Sequence, residues 1–139
     1  MLIPVLVLKD GSGVITGNVS LYPSSRTYTY SQYTGGQVTF YPTNSDGSLK
    51  PESASPPLEF DFPYKKGSAP NNERQDKPHA HHVIEDSQGQ IYVCDLGSDR
   101  VWVVERDGEE LKVKGWLQAP EGSGPRHAAL SPDGECILS

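Results

Sequence analysis

Apolar and polar positions alternate with a period of two along much of this chain, and the apolar runs are short. Positions 27–31 and 37–41 mix β-branched and aromatic residues on either side of the turn Tyr33-Thr34-Gly35-Gly36, which predicts a hairpin. Leu58, Phe60 and Phe62 alternate with Glu59 and Asp61, the pattern of an edge strand with one wet face. Four more strands are expected at 81–85, 91–94, 101–104 and 111–117. Gln88-Gly89, Leu96-Gly97-Ser98-Asp99 and Asp107-Gly108-Glu109 are the turns between them. Nearer the start, an apolar run at 2–8 precedes the turn Lys9-Asp10-Gly11-Ser12-Gly13, and 14–21 reads as a further short strand before Pro23-Ser24-Ser25. No stretch carries the i, i+3, i+4, i+7 apolar stripe of an amphipathic helix, so the expected class is all-β.

The pattern also repeats. Pro78-His79-Ala80-His81-His82-Val83 is echoed by Ser123-Gly124-Pro125-Arg126-His127-Ala128, so that His81 and Arg126 stand 45 positions apart, as do His82 and His127. Gly35-Gly36-Gln37-Val38-Thr39-Phe40 aligns on Ser98-Asp99-Arg100-Val101-Trp102-Val103 at an offset of 63, one repeat plus an insertion. Four short strands in each repeat of roughly 40–45 residues are the mark of a β-propeller blade. Propellers close with about 4–8 blades. The expected architecture is therefore a β-propeller fragment of about two and a half four-stranded blades, by the blade count of closed rings. Within 1–139 it divides into one blade at 26–62, a polar loop insertion at 63–77, a second blade at 78–120 and the start of a third at 124–139. A small β-sandwich is the alternative, but it gives no reason for the echo.

Composition supports this class. Gly numbers 14 and Pro 12, an excess that favours turns and short strands, while hydrophobic residues make up only 35%. The net charge of −6 argues against nucleic acid or an anionic membrane as partner, since both need a basic face. It leaves room for a small anion held by local Arg and His side chains. Cys94 and Cys136 fall at matching strand positions without any zinc or disulfide spacing, which fits a reducing, cytoplasmic setting. The run at 2–8 lacks the flanks of a signal peptide and is too short to span a membrane.

Candidate chemistry follows from propeller geometry. The innermost strand of each blade lines the central channel, so residues at its entry face the mouth of the ring. His81 and Arg126 hold that position in consecutive blades and are expected to face one cavity, a site for a small anionic ligand. Arg126 can bind an anion through its guanidinium fork or stabilise an oxyanion. His81 can activate water as a general base or shuttle a proton. His79 and His127 are candidate substrate contacts, and Arg74 on the long loop is placed to bind phosphate over the mouth. His82 alternates away from His81 and is expected to face the sheet interior or the next blade. The spacing of His79, His81 and His82 splits ligands between faces, so no metal is expected, and no motif implies a cofactor. Asp95 and Asp99 read as turn formers. No nucleophile elbow or Ser/His/Asp order is present.

Pro78-His79-Ala80-His81, Glu73-Arg74-Gln75, Asp95-Leu96-Gly97-Ser98-Asp99-Arg100-Val101 and Gly122-Ser123-Gly124-Pro125-Arg126-His127 resemble the lactonase-type seven-bladed propellers. That family contains 6-phosphogluconolactonases and fungal carboxy-muconate cyclases. The resemblance covers about 26–139 and is most specific in its second half. It implies that His81 and Arg126 are the catalytic histidine and arginine, and that an acidic residue and a further arginine lie beyond Ser139. The implied activity is hydrolysis of an anionic sugar lactone. The sister cyclisation of a carboxylated muconate and a non-catalytic binding propeller are the alternatives. Open blade edges also predict self-association.

Overall fold

The computed structural model describes residues 17–22, 27–133 and 136–138. The first sheet holds β1 (Gly17–Tyr22), β2 (Thr27–Gln32), β3 (Gln37–Pro42) and β4 (Leu58–Glu59), with a 3-10 turn at Pro51–Ser53. The second holds β5 (Ala80–Glu85), β6 (Ile91–Asp95), β7 (Arg100–Asp107) and β8 (Glu110–Gln118). A third pairs β9 (Ala128–Leu130) with β10 (Cys136–Leu138). Spatial order equals chain order in both four-stranded sheets, and each neighbouring pair is antiparallel. Each sheet is therefore a meander, the construction of a propeller blade.

The first sheet begins at Gly17, ahead of the boundary expected at 26. Its opening strand covers the end of the run at 14–21; positions 14–16 and the apolar run at 2–8 lie outside the described residues. The offset of 63 explains the difference, because it carries Gly17–Tyr22 onto Ala80–Glu85 strand for strand. β1 is thus the counterpart of β5. The edge strand expected at 58–62 pairs only over Leu58–Glu59; Phe60 then stacks on Trp102 of the next sheet, ring centroids 5.2 Å apart.

Packing between sheets explains why β6 has no wet face. Ile91 and Val93 join one core cluster with Val38, Phe40, Phe60, Val83, Trp102 and Val104, between the first and second sheets. Tyr92 and Cys94 point the other way, with Ile84 and Val101, against Ala128 of the third sheet. A strand covered on both faces is expected to read as a near-continuous apolar run, and Ile91-Tyr92-Val93-Cys94 does. β5 contacts β1 and β2 on one side and β9 on the other, so the inner strands are neighbours.

The meander also sorts the connections. β5 begins, β6 ends, β7 begins and β8 ends at one end of the sheet. The turn at 96–99, the incoming segment up to 79 and the outgoing segment from 119 therefore share that end. Among the described residues no helix is long and apolar enough to cross a membrane.

Candidate active site

The histidine stretch opens β5 with a bulge. Ala80 pairs with Asp95 and His82 with Cys94, so His81 is an extra residue between consecutive partners. A bulge breaks strict alternation and re-aims the inserted side chain. Both His81 and His82 consequently reach one ring in the next sheet, that of His127, with centroids 4.9 Å and 5.2 Å away. Alternation alone would have separated them. His82 does face the neighbouring blade: its Nδ1 accepts the Ala128 N–H at 3.3 Å. The ring of His81 hydrogen-bonds the backbone of Arg126 and sits edge-on to Tyr33 at 5.8 Å.

His79 is placed differently. It is buried, its Nδ1 lies 2.9 Å from the Tyr33 carbonyl and its Nε2 lies 2.7 Å from Asp76 Oδ1. Its ring stacks on Tyr33 at 4.5 Å. Both ring nitrogens are occupied by protein, so His79 clamps the first sheet to the second and positions its neighbour His81.

Arg126 and Arg74 line one cavity of about 260 Å³ with Asn71, Gln75, Leu96, Gly122, Ser123 and Gly124. No carboxylate is among these lining residues, so the two guanidinium groups set its charge. Both arginines also push the His81 titration downward, which places His81 within their field. The structure therefore brings four predicted residues together: His81, His127, Arg126 and Arg74.

What holds this cluster is a set of buried anchors. Gln75 is buried at 2% exposure, donates to the Leu96 carbonyl at 3.1 Å and accepts the Asn71 N–H at 3.1 Å. The polar loop at 63–77 is thereby tied to the β6–β7 turn, and Ala69 is buried with it. Asp99, wholly buried, accepts the N–H groups of Gly122 at 2.7 Å and Gly124 at 2.8 Å, and the Tyr64 hydroxyl at 2.5 Å. Its φ of 52° is the left-handed conformation, uncommon outside glycine. These glycine amides serve Asp99, which leaves the two guanidinium groups as the charged donors of the cavity wall. Asp95 accepts from the backbone of His79, Gly97 and Ser98 and from Trp102 Nε1 at 2.9 Å. Asp95 and Asp99 are turn formers that also reach across the fold, a role the sequence reading missed. Their signal was the pair of aspartates bracketing Leu-Gly-Ser.

Burial and neighbouring positive charge govern His81 and His82. Burial, then His127 and the two arginines, holds His81 below the usual histidine range. Burial, then His127 and His81, lowers His82 to about 4. Both are therefore neutral near pH 7. Among the described residues no group of three His, Cys, Asp or Glu side chains is arranged to hold a metal ion.

Stacked four-stranded meanders that gather histidine and arginine side chains at one end define a β-propeller with a polar mouth. The family model described as the seven-bladed β-propeller lactonase matches residues 9–138, and the chain belongs to that family. A 6-phosphogluconolactonase of Bacillus subtilis is 30% identical over 83% of this chain and 31% of its own length. A solved protein of Lactobacillus plantarum superposes with a TM-score of 0.73 at 26% identity, over 91% of this chain and 36% of that one. The periplasmic gluconolactonase of Pseudomonas aeruginosa superposes with a TM-score of 0.61 at 26% identity, over 87% of this chain and 34% of that one. The chain thus spans about a third of the length of these proteins.

Proposed function

We propose that this chain carries the histidine–arginine half of a lactone-hydrolysing site for an anionic sugar lactone of the 6-phosphogluconolactone kind. The observation that supports it most is the convergence of Arg74 and Arg126 on one cavity beside His81, with no carboxylate in the cavity wall. A phosphate group suits two guanidinium forks. Relatives named as a 6-phosphogluconolactonase and a gluconolactonase favour a lactone over a muconate. The reading keeps the cytoplasmic placement, a reducing setting that suits the buried Cys94.

In this reading His81, kept neutral by burial and nearby cations, takes a proton from water. The hydroxide oxygen bonds to the lactone carbonyl carbon, and Arg126 stabilises the oxyanion. The ring C–O bond then breaks, and its oxygen takes the proton back from the imidazolium. Arg74 holds the anionic end, His127 packs on His81, and His79 fixes the strand entry.

The test is the rate of 6-phosphogluconolactone hydrolysis above the spontaneous rate. Arg126→Ala and His81→Gln are expected to lower it about 100-fold each, within the range for a positioned acid–base or oxyanion group. Equal rates in both variants and the parent sequence would overturn the assignment.

A further inference from the structure

A second cavity opens at the same end of the second sheet, and Tyr64 in its wall donates to Asp99. It measures about 540 Å³, and Pro63, Tyr64, Ser98, Gln118, Pro120 and Glu121 are in its wall. Its chemistry contrasts with the first cavity, because neither lysine nor arginine lines it. Ser98 is wholly buried, and its Oγ has no hydrogen-bond partner among the described residues. A buried hydroxyl left unpaired is costly, which points to a missing partner. Tyr64 is fixed at two points: its hydroxyl donates to Asp99 at 2.5 Å, and its ring meets Phe62 edge-on at 5.7 Å. Gln118 spends its Nε2 on the carbonyls of Asp99 and Ala119, which leaves its Oε1 to accept. Burial and the Asp99 carboxylate push the Tyr64 hydroxyl well above the usual tyrosine range, Glu121 adds to this and Arg100 opposes it weakly, so negative charge prevails around the ring.

We propose that this cavity binds a neutral polyhydroxylated ligand, a sugar or polyol. The walls match that class: prolines and a fixed aromatic ring for carbon–hydrogen faces, and Ser98, Gln118 and Glu121 for hydroxyl groups. The volume falls in the range of small-molecule sites, about 300–1,000 Å³. An anion is disfavoured by Glu121 and by the lack of a lining cation. The site stands independently of the lactonase reading, which uses the other cavity.

The test is a titration of the chain with D-glucose and with myo-inositol, followed at backbone amide resonances. Saturable shifts are expected at Tyr64, Ser98, Ala119 and Glu121. Ser98→Ala and the exposed Glu121→Ala should each raise the midpoint about fivefold, as loss of one hydrogen bond does. Arg126→Ala should leave it unchanged. Shifts that do not saturate, or that persist unaltered in both Ser98→Ala and Glu121→Ala, overturn the proposal. Loss of the response in Arg126→Ala alone would move binding to the arginine cavity and overturn it too.

Discussion

Burial decides the charge of His81 and His82. His82 titrates near 6.5 when unfolded and at about 4 when folded. Between these values the unfolded chain binds the extra proton, so lowering the pH favours unfolding. The contribution is fully present above about 6.5 and is lost progressively as the pH falls towards 4. His81 shifts in the same direction. The melting temperature should therefore drop between pH 7 and pH 4.5, and His82→Gln should flatten that drop. An unchanged slope in His82→Gln would show that this group does not carry the effect. Sequence periodicity singled out His81 and Arg126 because the repeat marks equivalent positions. It missed the shared contact of His81 and His82 with His127, because a bulge is one unpaired residue and leaves no periodic trace. It also left His79 a ligand contact, since nothing local reveals Tyr33 and Asp76 as its partners.

At the scale of elements, the turn at 96–99 is the piece that joins loop, strand and site. A Cβ on Gly97 would lie 1.8 Å from the Lys77 carbonyl oxygen and 3.0 Å from His79 Cδ2. Backbone must move to admit it, so Gly97→Ala is predicted to cost about 3 kcal/mol or more in denaturant unfolding. Gly36 is constrained in the same way by Pro78, whose carbonyl oxygen would stand 2.5 Å from an added Cβ. Asp99→Asn keeps the shape but removes one acceptor from three donors. It should cost about 1–3 kcal/mol and weaken anion binding in the arginine cavity, because the Gly122 to Gly124 turn is no longer fixed. Tyr64→Phe removes one of those donors and should have the smaller effect on both. If Asp99→Asn lowers stability but leaves phosphate affinity untouched, Asp99 is structural and does not position Arg126. The strands themselves were legible from alternation and turn residues: those expected at 27–31, 37–41, 81–85, 91–94, 101–104 and 111–117 recur with shifted ends, and the one at 58–62 is cut to two residues. The starts of sheets were less so: the short strand read at 14–21 was not joined to the first blade, and the offset of 63 is what makes β1 the counterpart of β5. The anchors of the 63–77 loop were hidden because Gln75 is a polar residue buried by two hydrogen bonds, and composition reads such residues as solvated.

Across the whole molecule the first two sheets share one core, with Phe60 and Trp102 stacked across the junction. Trp102 also donates to the buried Asp95, which links that core to the histidine entry. Trp102→Ala should cost about 3–5 kcal/mol and loosen the site as well as the core, measured by unfolding and by amide exchange at His79. The blade architecture was legible because the repeat, the turns and the strand lengths all agreed. The cavities were not, since each is lined by segments far apart in sequence. The central claim is that His81, His127, Arg74 and Arg126 form one anion site. Its most direct test is a titration of the chain with 6-phosphogluconate, read at the ring protons of His81 and His127. The account predicts saturable shifts at both rings and an affinity at least about tenfold lower in Arg126→Ala, the loss of one charge-assisted contact. Shifts absent from both rings, or an affinity equal in Arg126→Ala, would contradict it.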